Sequence, residues 1–174
     1  MRKKVFMGFG GLFMIELRKV DENNVWKILE LSVKADQESY IANNTESIIE
    51  AYLAISSGGV ALPFGIYNED CLIGFTMFGY GKAGYEEEPK IAENNYCIWR
   101  FMIDKEFQHQ GLGRRALMAA LQYLETMPCG KADYCWLSYE PENTIAKKLY
   151  SSVGFQENGE MCGKEIVSVV ELHK

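Results

Sequence analysis

The sequence predicts an α/β fold, a mixed sheet with helices packed on its faces. Three observations carry that expectation. The run Tyr96 to Ile103 has the length of a buried strand, is rich in aromatic and branched residues, and is followed by a polar turn and a helix. Along the whole chain, strand-like segments interleave with segments whose apolar residues recur three and four apart. Asn68-Glu69-Asp70 separates two apolar runs, as the turn of an antiparallel hairpin does. At 174 residues the chain suffices for one domain with a substantial core.

Taken in order, Met14 to Val20 alternates apolar and polar residues and reads as a first strand. Asp21-Glu22-Asn23-Asn24 supplies helix-cap residues, and Val25, Ile28, Leu29 and Leu31 follow at helical spacing. Asp36 to Asn44 reads as a loop or broken helix. Thr45 opens a second helix with Ile48, Ile49, Tyr52 and Leu53 inward, and Ser56-Ser57-Gly58-Gly59 ends it. Ala61 to Tyr67 and Cys71 to Tyr80 form the hairpin. Gly81 to Asn95 is a loop whose Glu86-Glu87-Glu88 run is a solvated tip or a lure for a cation.

The central strand Tyr96–Ile103 then leads to a helix on which Leu112, Ala116, Leu117, Ala120, Leu121 and Leu124 share a face, reaching about Met127 before Pro128-Cys129-Gly130 breaks it. Tyr134 to Ser138 is a strand. Pro141-Glu142-Asn143 opens a helix carrying Ile145, Leu149, Tyr150 and Val153. Glu165 to Leu172 is a last strand, paired with the segment around Phe155 to Met161.

Composition narrows the function. A net charge of −6 argues against a nucleic-acid binder, whose footprint is basic, and is compatible with a small cationic partner. No stretch is long and apolar enough to span a membrane. Cys71, Cys97, Cys129, Cys135 and Cys162 form no C-x-x-C pair, which reads as reduced thiols in a cytoplasm. Arg2-Lys3-Lys4 before Val5 to Ile15 imitates a signal peptide, but glycines interrupt it and no small-x-small site follows. We therefore expect residues 1–13 to be an extension that an upstream start would explain, with Met14 opening the domain 14–174.

The chemistry gathers where two glycines begin the helix after Tyr96–Ile103. A helix N-terminus carries unpaired N–H groups and a partial positive charge, so it suits an anion, and glycine gives a phosphate room to reach the backbone. Gly111-x-Gly113-x-x-Ala116 matches the short dinucleotide fingerprint. The glycines, however, lie several residues past the strand, and too few strand–helix units follow. A P-loop is excluded, since no Gly-Lys-Ser/Thr follows. A glycine start for packing alone is the plainest alternative.

The second half of the chain adds Asn143-x-x-Ala146-x-x-Leu149-Tyr150-x-x-x-Gly154-Phe155. Together with Gln108-x-x-Gly111-x-Gly113, this resembles the GNAT superfamily of acetyl-CoA-dependent N-acetyltransferases, over nearly the whole chain from Met14. Arg100-Phe101-Met102-Ile103-Asp104, Gln108, Glu142-Asn143 and Ser39-Tyr40-Ile41 look like the bacterial diamine, spermidine and spermine N-acetyltransferases within it.

The resemblance implies a single-domain fold: a mostly antiparallel sheet of six to seven strands, helices on both faces and a splayed central strand pair. It implies acetyl-CoA as cosubstrate and no metal. The amides of His109, Gln110, Gly111, Leu112, Gly113 and Arg114 would hold the pyrophosphate, with Arg115 a further candidate for the nucleotide phosphates. Phe101, Met102 and Ile103 would pair with the pantetheine arm as an added strand does. Met102 N–H would stabilise the oxyanion, and Asn143 and Ala146 would complete the donor site. Tyr150 would protonate the departing thiolate.

Several relatives carry a carboxylate where this chain has Trp99. Proton removal from the acceptor would then fall to a water chain or to an acid such as Glu38, since His109 belongs to the cradle. Asp36, Glu38, Tyr40 and Trp99 would face a small cationic amine, a polyamine first, by charge and cation–π contact. Protein or aminoglycoside acceptors are alternatives, as is a non-catalytic acetyl-CoA sensor. Unpaired sheet edges in this fold point to a homodimer.

Overall fold

A computed structural model describes residues 14–172; the expectation for residues 1–13 lies outside these. Seven strands form one sheet: β1 Ile15–Lys19, β2 Leu62–Asn68, β3 Cys71–Tyr80, β4 Tyr96–Ile103, β5 Tyr134–Tyr139, β6 Gln156–Cys162 and β7 Glu165–Glu171. Their order is β1-β2-β3-β4-β5-β7-β6, and among the described residues the β4–β5 pair alone is parallel. Among the described residues four α-helices accompany the sheet: α1 Val25–Glu30, α2 Asn44–Ser56, α3 Leu112–Leu124 and α4 Thr144–Ser151.

Alternation along the strands divides the core between two faces. On one face, Phe64, Phe78, Tyr96, Ile98 and Leu137 pack with Leu117, Ala120 and Leu124 of α3, and Leu149 and Tyr150 of α4 lie against them. On the other, Phe75, Met77 and Met102 meet Ile28 of α1 and Ala51 of α2. The sheet is therefore covered on both sides, as the sequence predicts.

Two features of the central strands position the site. The β3–β4 register shifts between Met77 and Phe78, which face Arg100 and Ile98, so Trp99 is the extra residue of a bulge. Then β4 and β5 pair only at Tyr96/Cys135 and Cys97/Trp136. Beyond those two pairs the strands splay, and the backbone from Phe101 to Ile103 faces the gap.

Three local expectations are corrected. In α2, Ile49, Tyr52 and Leu53 are exposed, and the buried face is Asn44, Ser47 and Ala51, with Ile48 half-buried. The helix start decides this. Asn43 caps it through Glu46 N–H, and Asn44 Nδ2 donates to Ile28 O at 2.8 Å, fixing which stripe turns inward. Small residues on that stripe let the helix lie close. The helix α3 stops at Leu124, before the expected Met127, which adopts a left-handed φ of 54°. The segment Asp36 to Asn44, expected as a loop or broken helix, instead shares a 3-10 helix, Ala35–Tyr40, and gives α2 its first residue, Asn44.

Candidate active site

The site starts from the turn after β4. Asp104, nearly buried, accepts from Glu106 N at 3.0 Å and from Ser32 N at 2.9 Å. It thereby ties the α1–α2 connection to the turn. Gln108 Nε2 donates to Ile103 O at 3.0 Å and to Gln37 Oε1 at 2.8 Å. His109 and Gly111 both adopt left-handed conformations, φ 62° and 73°, and Lys34 Nζ meets His109 Nε2 at 3.0 Å. Gly111 is the N-cap of α3, and no side chain caps the helix. The first-turn amides are thus left for a ligand, which is the arrangement an anion needs.

The antiparallel register settles which β4 amides face the gap. Asp104 N–H donates to Ile73 O at 2.9 Å, and Met102 pairs with Phe75 two residues back. Bonding alternates along such a ladder. The amide of Met102 therefore points to β3, away from the gap. Phe101 and Ile103 turn theirs outward, and the outward carbonyl of Ile103 is the one Gln108 occupies. The amides free at the gap are thus those of Phe101 and Ile103, and that of Met102, expected to face an oxyanion there, is turned away.

One cavity of about 1390 Å³ runs along the splay. His109, Gly111, Gly113 and Arg114 line it, as do Asn143, Ala146 and Tyr150 of the second motif and Glu38, Tyr40 and Trp99. Phe101, Met102 and Ile103 form its floor. The structure brings these predicted residues together. Asp36, Gln110 and Leu112 are outside its lining: Asp36 is exposed, Gln110 Nε2 bonds Glu106 O, and Leu112 is buried in the core. Arg114 turns its Nε to Ser152 O at 3.3 Å.

Tyr150 stands half-buried against Tyr139 and Phe155, at ring distances of 5.8 and 6.1 Å. Its hydroxyl has no hydrogen-bond partner among the described residues, whereas those of Tyr80, Tyr96 and Tyr139 are all engaged. Burial first, then the charges of Glu165 and Tyr139, push its phenol above the usual value. It is therefore held as a proton donor at neutral pH. Asn143 Oδ1 accepts from Ala146 N at 3.1 Å, so the residue caps α4 and keeps its Nδ2 to offer.

The cavity also holds groups that sequence spacing does not reveal. Arg100 Nη2 bonds Glu50 Oε2 at 2.7 Å, and its guanidinium lies 5.6 Å from the Trp99 ring centroid. Glu165 Oε2 accepts from Ser138 Oγ at 2.5 Å. Tyr85 Oη meets Cys162 Sγ at 3.6 Å. The bulge at Trp99 brings consecutive residues to this face. The Ser138–Glu165 pair joins residues 27 apart through the β5–β7 register, for which no sequence signal exists. Glu88 lines the cavity, but its carboxylate accepts from Ala83 N and Gly84 N and so shapes its own loop. The five cysteines are unpaired. Among the described residues no helix is long and apolar enough to cross a membrane.

A seven-stranded sheet that splays at β4–β5, above a helix N-terminus left open for an anion, is the fold of an acyl-CoA-dependent transferase. The chain belongs to the acetyltransferase (GNAT) family, whose model matches residues 25–155. It is an acetyl-CoA-dependent N-acetyltransferase. It is 35% identical over 161 residues to the spermine/spermidine N(1)-acetyltransferase of Bacillus subtilis (strain 168), covering 91% of this chain and 99% of that protein. Its fold is shared with the spermidine N-acetyltransferase of Vibrio cholerae in complex with CoA and spermine, with a TM-score of 0.64 and 19% identity over 91% of this chain and 96% of that one. An aminoglycoside acetyltransferase in complex with coenzyme A has a TM-score of 0.71 and 18% identity over 90% and 94%.

Proposed function

We propose that this enzyme acetylates a primary amine of a polyamine, spermidine or spermine, by direct attack on acetyl-CoA with both substrates bound. The observation that carries direct attack is the single cavity, which joins the phosphate cradle to an acceptor mouth across the splay. A continuous cavity lets the amine reach the thioester without a covalent enzyme intermediate. The polyamine reading is supported by the identity to the Bacillus subtilis enzyme and by the acidic and aromatic mouth of Glu38, Tyr40 and Trp99.

In this reading the amides from His109 to Arg114, in the turn before α3 and its first turn, bind the pyrophosphate. The outward amides of Phe101 and Ile103 bond the pantetheine arm as an added strand would, and Asn143 Nδ2 and the Ala146 turn border it. The Phe101 N–H, at the inner end of the gap, faces the developing oxyanion. Tyr150 delivers its proton to the sulfur as the thiolate departs. Asp36 and Gln110 have no side-chain part. Dimerisation through a sheet edge at β1 or β6, and a cytoplasmic setting for the reduced thiols, belong to the same reading.

Initial-rate kinetics over spermidine, spermine, an aminoglycoside and a lysine peptide test it. The expected result is intersecting double-reciprocal lines, with the highest kcat/KM for a polyamine. Parallel lines overturn direct attack, and a preference for the drug or the peptide overturns the acceptor. Light scattering reports the dimer.

A further inference from the structure

The acceptor amine arrives as an ammonium and must lose a proton before it attacks. We propose that Glu165 on β7 receives that proton through the hydroxyl of Ser138 on β5. This rests on the N-acetyltransferase reading above and supplies the proton acceptor that Trp99 cannot be.

Position carries the argument. Ser138 lies two residues beyond Trp136, the last β5 residue paired with β4, so it sits just inside the splay. Ser138 and Glu165 both line the cavity. Their 2.5 Å bond joins hydroxyl to carboxylate, so a proton entering at Oγ has a path to Oε2. Glu165 also lies close enough to Tyr150 for its charge to act on the phenol. The pair thus lines the same cavity as Tyr150, in which amine and sulfur must meet.

The other carboxylates along the cavity are committed or misplaced. Glu88 holds two loop amides, and Glu50, nearby, holds Arg100. Glu38 and Glu46 belong to the α1–α2 side, and Glu140 follows the end of β5. The titratable and charged groups that line the cavity on the elements around Glu165 are Tyr85, Cys97, Arg100, Glu140, Tyr150 and Cys162; Lys164 precedes it in the turn from β6, which also carries Glu157 and Glu160. Tyr139 turns to the opposite face and bonds Glu157. Arg100 is neutralised by Glu50, which leaves Glu165 free of a fixed cation among the ion pairs of the described residues.

The protons balance. The ammonium loses one proton to Ser138 Oγ, whose own proton passes to Glu165 and then to solvent. The neutral amine forms the C–N bond as the C–S bond breaks. Tyr150 protonates sulfur, and one of the two N–H protons left on nitrogen restores the phenol while the other stays on the product amide. Once Glu165 is protonated, the charge that held the phenol's proton is gone, so proton removal at one end eases donation at the other.

The test compares wild type with Glu165→Gln, which can still accept the Ser138 hydrogen bond, and with Ser138→Ala. Acetyl-CoA affinity by calorimetry is expected to be unchanged in both. With spermidine near neutral pH, Glu165→Gln is expected to lower kcat/KM by about 10²-fold or more. The loss should shrink as pH rises and the free amine accumulates, and it should nearly vanish with a weakly basic fluorinated amine that is already neutral. Ser138→Ala should show the same pattern, more weakly. A defect equal at all pH values and for both amines overturns the proposal, as does one confined to KM. Wild-type silence on every amine overturns the acceptor reading and this proposal with it.

Discussion

Tyr150 and the Arg100–Glu50 pair show how single side chains divide function from stability. Replacing Tyr150 by Phe keeps the ring against Tyr139 and Phe155 and removes only the proton. Turnover is expected to fall about 10²-fold or more, with the melting temperature nearly unchanged. Because the folded phenol is held above its ordinary value, it stays protonated through neutral and mildly alkaline pH. The rate profile should therefore show no descending limb from this group below about pH 10. Glu50→Gln does the reverse. It leaves a largely buried guanidinium without its counter-charge, so chemical denaturation should register a loss of about 1–2 kcal/mol. The role proposed for Tyr150 was legible in the sequence because it lies within a motif of fixed spacing. Glu50 was not, since a helix residue meets Arg100 only through tertiary packing.

At the scale of elements, two glycines carry separate burdens. Gly111 needs its left-handed φ of 73° to turn the chain into α3. A side chain there is strained by about 1–2 kcal/mol, and it shifts the amides that follow. Gly111→Ala should raise the KM for acetyl-CoA far more than that for the amine. Gly74 lies on β3 opposite Ile103 of β4, and an added Cβ would collide with Met102 O. Gly74→Ala should force the two central strands apart and cost about 3 kcal/mol, read as a fall in melting temperature. The strands, α3 and α4 were readable from period and caps. The face of α2 was not, because Ile49, Tyr52 and Leu53 are more apolar than the buried Asn44, Ser47 and Ala51. Hydrogen bonds at the helix start outrank that count. The bulge at Trp99 escaped as well, because a register shift depends on the partner strand.

Across the whole molecule, β1 to β4 make one half-sheet and β5, β7 and β6 another, joined by hydrogen-bonded pairing at two residue positions. The sequence announced the cradle and the second motif but not the width of the gap between these halves, which depends on where pairing stops. An open gap means that a strand central by position carries the free backbone of an edge over Phe101 and Ile103. Their amides should exchange with deuterium faster than that of Met102, and slow when CoA is added. An extended ligand seated there acts as mortar between the halves. Donor at a hundred times its dissociation constant would add about 2.7 kcal/mol to the folded state. The lifetime of this enzyme against heat and proteases would then follow the supply of acetyl-CoA, so that a well-fed cell keeps more of it.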